Sequence, residues 1–145
     1  MVIRLLSLQI PQFWDIIKYA LQQVERFGEG EEDERYNRIL AALLNDKSQC
    51  FIMYSEDEKV KAVMVTEILE DLITSKRTLN LRCLYAFDVV ATSEWTSNFG
   101  FLIDVAKAER CYKITYETNN PRVQSLGEGV GFNRKSINME YKIGD

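Results

Sequence analysis

Histidine is absent from the 145-residue chain. That excludes Ser-His-Asp and Cys-His catalysis, histidine-ligated metals and a histidine general base. Proton chemistry must then rest on carboxylates, tyrosine, cysteine, lysine or water. Cysteine is scarce: Cys50, Cys83 and Cys111 are widely spaced and form no CxxC pair. Neither a metal site nor a disulfide framework is indicated, and three reduced thiols in a cytoplasmic setting are expected. No apolar run reaches the ~20 residues of a membrane span. Met1 to Leu6 reads as a short strand with no long apolar stretch behind it, so no secretory leader is expected. Basic charge is in deficit, with 18 Lys and Arg against 22 Asp and Glu, a net charge of −4. Nucleic-acid binding needs clustered cations that displace counterions, so neither nucleic acid nor membrane is an expected partner. Repeats, low-complexity stretches and long linkers are also missing, and a single domain over residues 1–145 is expected.

What is present is an ordinary globular balance, 46% hydrophobic and 28% charged, at a length that can bury a core without staples. After the first strand, Val2 to Leu6, Pro11 opens a helix in which Phe13, Ile16, Ile17, Ala20, Leu21, Val24 and Phe27 form one apolar stripe. Gly28 and Gly30 end it. A second helix is expected from Glu31 to Asn45, with the acids Glu31 to Glu34 in its first turn, as the helix dipole favours. Strand patterns follow at Cys50 to Tyr54, Val60 to Leu69 and Thr78 to Val90. The last is apolar on both sides and reads as central. Ser93 is placed to cap a helix reaching Arg110. Lys113 to Thr118 reads as a strand, Asn120 to Leu126 as a short helix, and Arg134 to Ile143 as a closing strand.

This order resembles the GNAT superfamily of acyl-CoA-dependent N-acetyltransferases. The sharpest local match is Asn119-Asn120-Pro121-Arg122-Val123, followed by Gly131-Phe132; Cys111-Tyr112-Lys113-Ile114 also looks familial. The element order covers the whole chain and the residue match its last third. The resemblance implies an α/β (α+β) fold with a mixed central sheet flanked by helices on both faces. It implies acetyl-CoA as cofactor and an amine acceptor, either a small molecule or a peptide. It also implies that backbone groups of Phe87, Val89, Val90 and Ala91, with Asn119 and Asn120, hold the cofactor. Asp88 is then the expected general base, directly or through water. An N–H of Val89 or Val90 would meet the oxyanion.

Two departures stand against that pattern. The family's Gln/Arg-x-x-Gly-x-Gly/Ala signature, whose N–H groups hold a pyrophosphate at a helix N-terminus, is missing between Val89 and Phe101. No basic residue lies between Arg82 and Lys107, and Glu94 falls in the first turn of the helix. The position where many family members carry a proton-donating tyrosine is Gly127, and a nearby position that is often lysine is Gly129. The residues therefore leave two readings open. One is an N-acetyltransferase with an atypical cofactor site. The other is a catalytically degenerate GNAT-fold protein that binds a protein partner or a second copy of itself. Of the acidic group Glu29, Glu31, Glu32, Asp33 and Glu34, dipole compensation explains four of the five, with attraction of a cationic amine as the competing role.

Overall fold

The computed structural model describes residues 1–24, 32–118 and 120–144. A five-stranded sheet runs in the order β1 (Val2–Arg4), β2 (Ser48–Tyr54), β3 (Val60–Glu70), β4 (Arg77–Ala86), β5 (Cys111–Tyr116). The first four strands pair antiparallel. β5 lies parallel to β4, joined by the crossover helix α3 (Thr92–Ala108). Helices α1 (Ile10–Val24) and α2 (Glu32–Leu44) fill the chain between β1 and β2, and α4 (Pro121–Gly129) follows β5.

The alternation of apolar residues divides the core between the two faces of this sheet. Ile10, Ile17, Ala20 and Leu21 form the fully buried stripe of α1. They pack with Tyr36 and Leu43 of α2 and with Cys50, Ile52, Val63, Val65 and Cys83 of the sheet. On the other face Leu102 and Ala106 of α3 meet Phe51 and Leu79. β2 feeds both clusters, which is why its run Cys50 to Met53 is apolar without interruption. Val24, at the end of the expected α1 stripe, is half-exposed. Phe27, Gly28, Gly30 and Glu31 lie outside the described residues.

Three expectations are corrected. The central strand stops at Ala86 rather than running to Val90, and Phe87 to Ala91 form a loop. Plain alternation puts Leu79, Leu81, Cys83 and Tyr85 on one face, but the sides of the strand exchange midway. Val65 pairs with Cys83 while Thr66 pairs with Leu81, so Arg82 is an extra residue in β4. A bulge of one residue reverses the alternation. Leu79 and Leu81 therefore face α3, whereas Cys83 and Tyr85 face α1. Lastly, Arg134 to Ile143 forms no strand. Its alternation is that of a strand with one buried side, but among the described residues no backbone pairs with it.

Candidate functional site

The ladder between β4 and β5 covers only Arg77–Leu81 and Cys111–Tyr116. Beyond Leu81, β4 runs on to Ala86 paired with β3 but with no strand on its β5 side among the described residues. The two strands part there, and a groove of about 700 Å³ opens between β4, α3 and α4. Leu81, Leu84, Trp95, Phe99 and Phe132 give it apolar walls, and Arg82, Asn98, Glu117 and Asn120 bring polar groups to it.

The backbone of β4 in the groove follows from pairing geometry. Phe87 N–H donates to the Lys61 carbonyl at 2.8 Å. In an antiparallel ladder the residues that bond to the partner alternate with residues whose N–H and C=O point the opposite way. With the register Tyr85 to Val63 and Cys83 to Val65, the polar groups of Cys83 and Tyr85 turn to β3. Those of Leu84 and Ala86 turn to the side where β5 has already ended. Main-chain donors and acceptors in that position suit an extended ligand carrying amides.

One end of the groove is built around a close approach. A Cβ on Gly127 would overlap the Tyr116 hydroxyl and lie 2.8 Å from its Cζ. Gly127 is therefore where α4 must come down onto the β5 tyrosine. Tyr116 donates its hydroxyl to the Val123 carbonyl at 3.1 Å. Burial, and behind it Glu128, raise its pKa above the ordinary phenol value. The Gly-Phe pair completes this end. Gly131 takes φ 108°, closing α4, and Phe132 N–H donates to the Gly127 carbonyl at 3.0 Å. The Phe132 ring then packs edge-on against Tyr116, with centroids 4.9 Å apart, and against Phe99 at 5.2 Å.

The N-terminus of α3 is closed from within the chain. Its cap residue is Ala91, not Ser93, and has no side chain to bond the first turn. Glu94 reaches back to the Ala91 N–H at 3.5 Å. Lys61 Nζ, from the start of β3, grips both oxygens of Glu94 at 2.9 and 3.0 Å. That hydrogen bond is the main reason the Glu94 carboxyl titrates below its ordinary value. A carboxylate thus sits on the helix end where a diphosphate would bind, and the lysine that could neutralise a phosphate is already paired.

Of the residues singled out in the sequence, Asn120 lines the groove; its side chain also caps α4 by accepting the Arg122 N–H at 2.9 Å. Asn119 lies outside the described residues. Phe87, Asp88, Val89, Val90 and Ala91 fall in the loop after β4 and not on the groove wall. Phe87 packs on the α1 face against Tyr19 and Tyr85. Asp88 is exposed and accepts the Val89 N–H at 2.7 Å, so that donor is engaged. Sequence reasoning missed Tyr116, Glu117 and Lys61. Each reaches the site by strand pairing or by the β5–α4 crossing, which leaves no local spacing to read. Of the acidic group, Asp33 is exposed in the first turn of α2 and Glu34 pairs with Arg38 one turn on.

No protein-family model matches the chain, and no curated protein is similar to it in sequence. Solved structures are similar to it in fold. A predicted acetyltransferase with acetyl-CoA from Clostridium acetobutylicum superposes at TM-score 0.74, with 16% identity, over 98% of this chain and 95% of that one. An aminoglycoside acetyltransferase from an uncultured soil metagenomic sample, in complex with sisomicin, gives 0.73 at 10% identity over 99% and 96%. Glucosamine-6-phosphate N-acetyltransferase from Arabidopsis thaliana gives 0.66 at 17% identity over 99% and 98%. The chain has the fold of the GNAT acetyltransferases, a mixed sheet with helices on both faces.

Proposed function

We propose that this protein takes an acyl thioester of the acyl-pantetheine class along β4 and transfers the acyl group to a small-molecule amine. The observation that carries this reading is the parting of β4 from β5. It leaves the backbone groups of Leu84, which lines an apolar groove of about 700 Å³, and of Ala86, two residues further along β4, without a strand partner on the β5 side. Acetyl-CoA, bound in a structure of the same fold, is the natural source of such a thioester. Amino sugars and aminoglycosides, acceptors named for other structures of this fold, fit the acceptor class proposed here.

The residues present fit the two parts of acetyl-CoA unequally. Leu84 and Ala86 would bond the amides of a pantetheine arm, and Trp95 and Phe99 would exclude water from it. The Lys61–Glu94 pair does not fit a diphosphate at the α3 N-terminus, so the nucleotide half would add little affinity.

Glu117, which lines the groove, would accept the proton of the acceptor ammonium, the part expected of Asp88. The free amine then forms a C–N bond to the acyl carbon as the C–S bond breaks, and the second proton of the amine nitrogen would pass through water to Tyr116, replacing the one the phenol gives to the sulfur. Tyr116, held protonated by burial, would release its bond to Val123 and give its proton to the departing sulfur. An N–H of Leu84 or Ala86 would meet the carbonyl oxygen as it gains charge.

A second reading, a GNAT-fold protein without catalysis that serves as a binding module, is favoured by the Lys61–Glu94 closure alone. Titration calorimetry with acetyl-CoA and with S-acetylpantetheine separates the two. The proposal expects both to bind, with dissociation constants within about tenfold (1.4 kcal/mol) of each other. Absence of heat from either at millimolar concentration would overturn it in favour of the second reading.

A further inference from the structure

The turn that joins β3 to β4 stands at the end of the sheet away from the groove. Its tip carries Leu72 and Ile73, which are 98% and 92% exposed. Two adjacent apolar side chains held in water point to a surface that receives them. The turn is built to hold them outward. Ile73 and Thr74 donate their N–H groups to Asp71 Oδ1 at 2.9 and 2.8 Å. Ser75 N–H donates to the Asp71 carbonyl at 2.9 Å, and Asp71 N–H to the Lys76 carbonyl at 2.8 Å. Lys76 N–H donates to Thr74 Oγ1 at 3.3 Å. A turn bonded within itself in this way enters an apolar phase without stranding these donors.

The base of the turn is basic, although the whole chain carries a net charge of −4. Lys76 and Lys113 hold Nζ 5.1 and 5.2 Å from the centre of the Tyr112 ring, and Tyr112 is 57% exposed. Neither lysine lies within ion-pair distance of a carboxylate among the described residues. Arg4 and Arg77 share one carboxylate, Glu109, at 3.1 and 3.6 Å. Arg110 stands at the same end, next to Cys111, which pairs with Arg77. Of the acids here, Glu70 lies opposite Arg77 in the ladder. Asp71 is engaged in the turn: the Thr74 and Ile73 N–H groups hold its carboxyl below the ordinary value, and the Lys113 charge adds to this. An apolar tip backed by a tyrosine and two lysines follows the order of a bilayer entered from water, with phosphates outside and acyl chains within.

We propose that this end of the molecule binds an anionic bilayer surface, Leu72 and Ile73 entering the acyl boundary while Tyr112, Lys76 and Lys113 meet the lipid phosphates. A projecting tip of two side chains offers a protein partner little area, whereas a bilayer closes around it. Leu81, where the groove opens, lies about 13 Å along β4 from Arg77, so the groove is set back from the bilayer. The inference does not rest on acyl transfer.

Sedimentation with lipid vesicles tests it. The protein should bind vesicles of phosphatidylcholine and phosphatidylserine in equal parts and not vesicles of phosphatidylcholine alone, and added salt should release it. Leu72→Asp combined with Ile73→Asp should lower the partition coefficient about tenfold or more. Lys76→Gln and Lys113→Gln should each lower it about fivefold. All four side chains are exposed, so the urea midpoints of these variants should match that of the unaltered protein. No binding to the mixed vesicles, equal binding to both kinds, or binding indifferent to the tip variant would each overturn the proposal. Light scattering covers the other occupant. A two-chain mass for the unaltered protein that falls to one chain in the tip variant would assign the tip to a second copy and overturn the proposal as well.

Discussion

At the scale of the residue, Gly127 and Tyr116 define the site most sharply. The sequence reads Gly127 as a lost tyrosine. The fold brings a phenol to the same place from β5, a partnership set by the β5–α4 crossing and invisible to local spacing. Gly127→Ala forces a carbon into the Tyr116 ring. It should destabilise the protein by about 1–3 kcal/mol in urea unfolding, the usual effect of overpacking. Tyr116→Phe should relieve part of that loss, a coupling that a double-mutant cycle measures. Alone, Tyr116→Phe should lower kcat for acyl transfer by about 10²-fold or more and leave KM nearly unchanged.

Cys50 makes a prediction about alkaline pH. Desolvation, with Cys83 adding to it, pushes the Cys50 thiol from its ordinary 9.0 up to about 12. The unfolded chain therefore gives up this proton first. The contribution to stability is complete below about pH 9 and is lost as pH rises through about 12. Urea midpoints should fall across that window, and Cys50→Ala, though less stable at neutral pH, should flatten the fall. The buried state of this thiol was legible from its place in an apolar strand run; its proximity to Cys83 was not.

At the scale of the element, the reading succeeded where periodicity is long and failed where one residue changes it. The stripe of α1 and the apolar run of β2 are visible in the sequence because each repeats its signal over several turns or pairs. The bulge at Arg82 carries no such signal. It moves Cys83 and Tyr85 to the α1 face and turns Leu84 toward the groove, and the strand itself ends at Ala86, four residues before the expected Val90. The cap of α3 failed for a similar reason. Ser93 has the right chemistry, but Glu94 and the distant Lys61 supply the closure instead. Glu94→Gln removes the carboxylate and loosens the lysine. It should tighten acetyl-CoA binding several-fold and leave S-acetylpantetheine unchanged, as calorimetry would show. Because Glu94 titrates below its ordinary value, its stabilising contribution is present at neutral pH and is lost only as pH falls through that lowered value.

At the scale of the whole molecule, two apolar layers share one sheet, and the groove lies where β5 ends while β4, parallel to it, runs on. The fold class was legible because element order survives errors at element ends. The site was legible only at Asn120 and Gly131-Phe132, whose capping and turn chemistry is local. Everything else in it depends on register.

The central claim is that Leu84 and Ala86 offer free backbone groups to an acyl-pantetheine ligand. Residue-resolved amide exchange by NMR tests it directly. Without ligand, the Leu84 and Ala86 amides should exchange quickly while Cys83 and Tyr85, bonded to β3, exchange slowly. S-acetylpantetheine should slow Leu84 and Ala86 and leave Cys83 and Tyr85 unaltered. Fast exchange at Leu84 and Ala86 that persists with saturating ligand, or protection confined to other parts of the chain, would contradict the account.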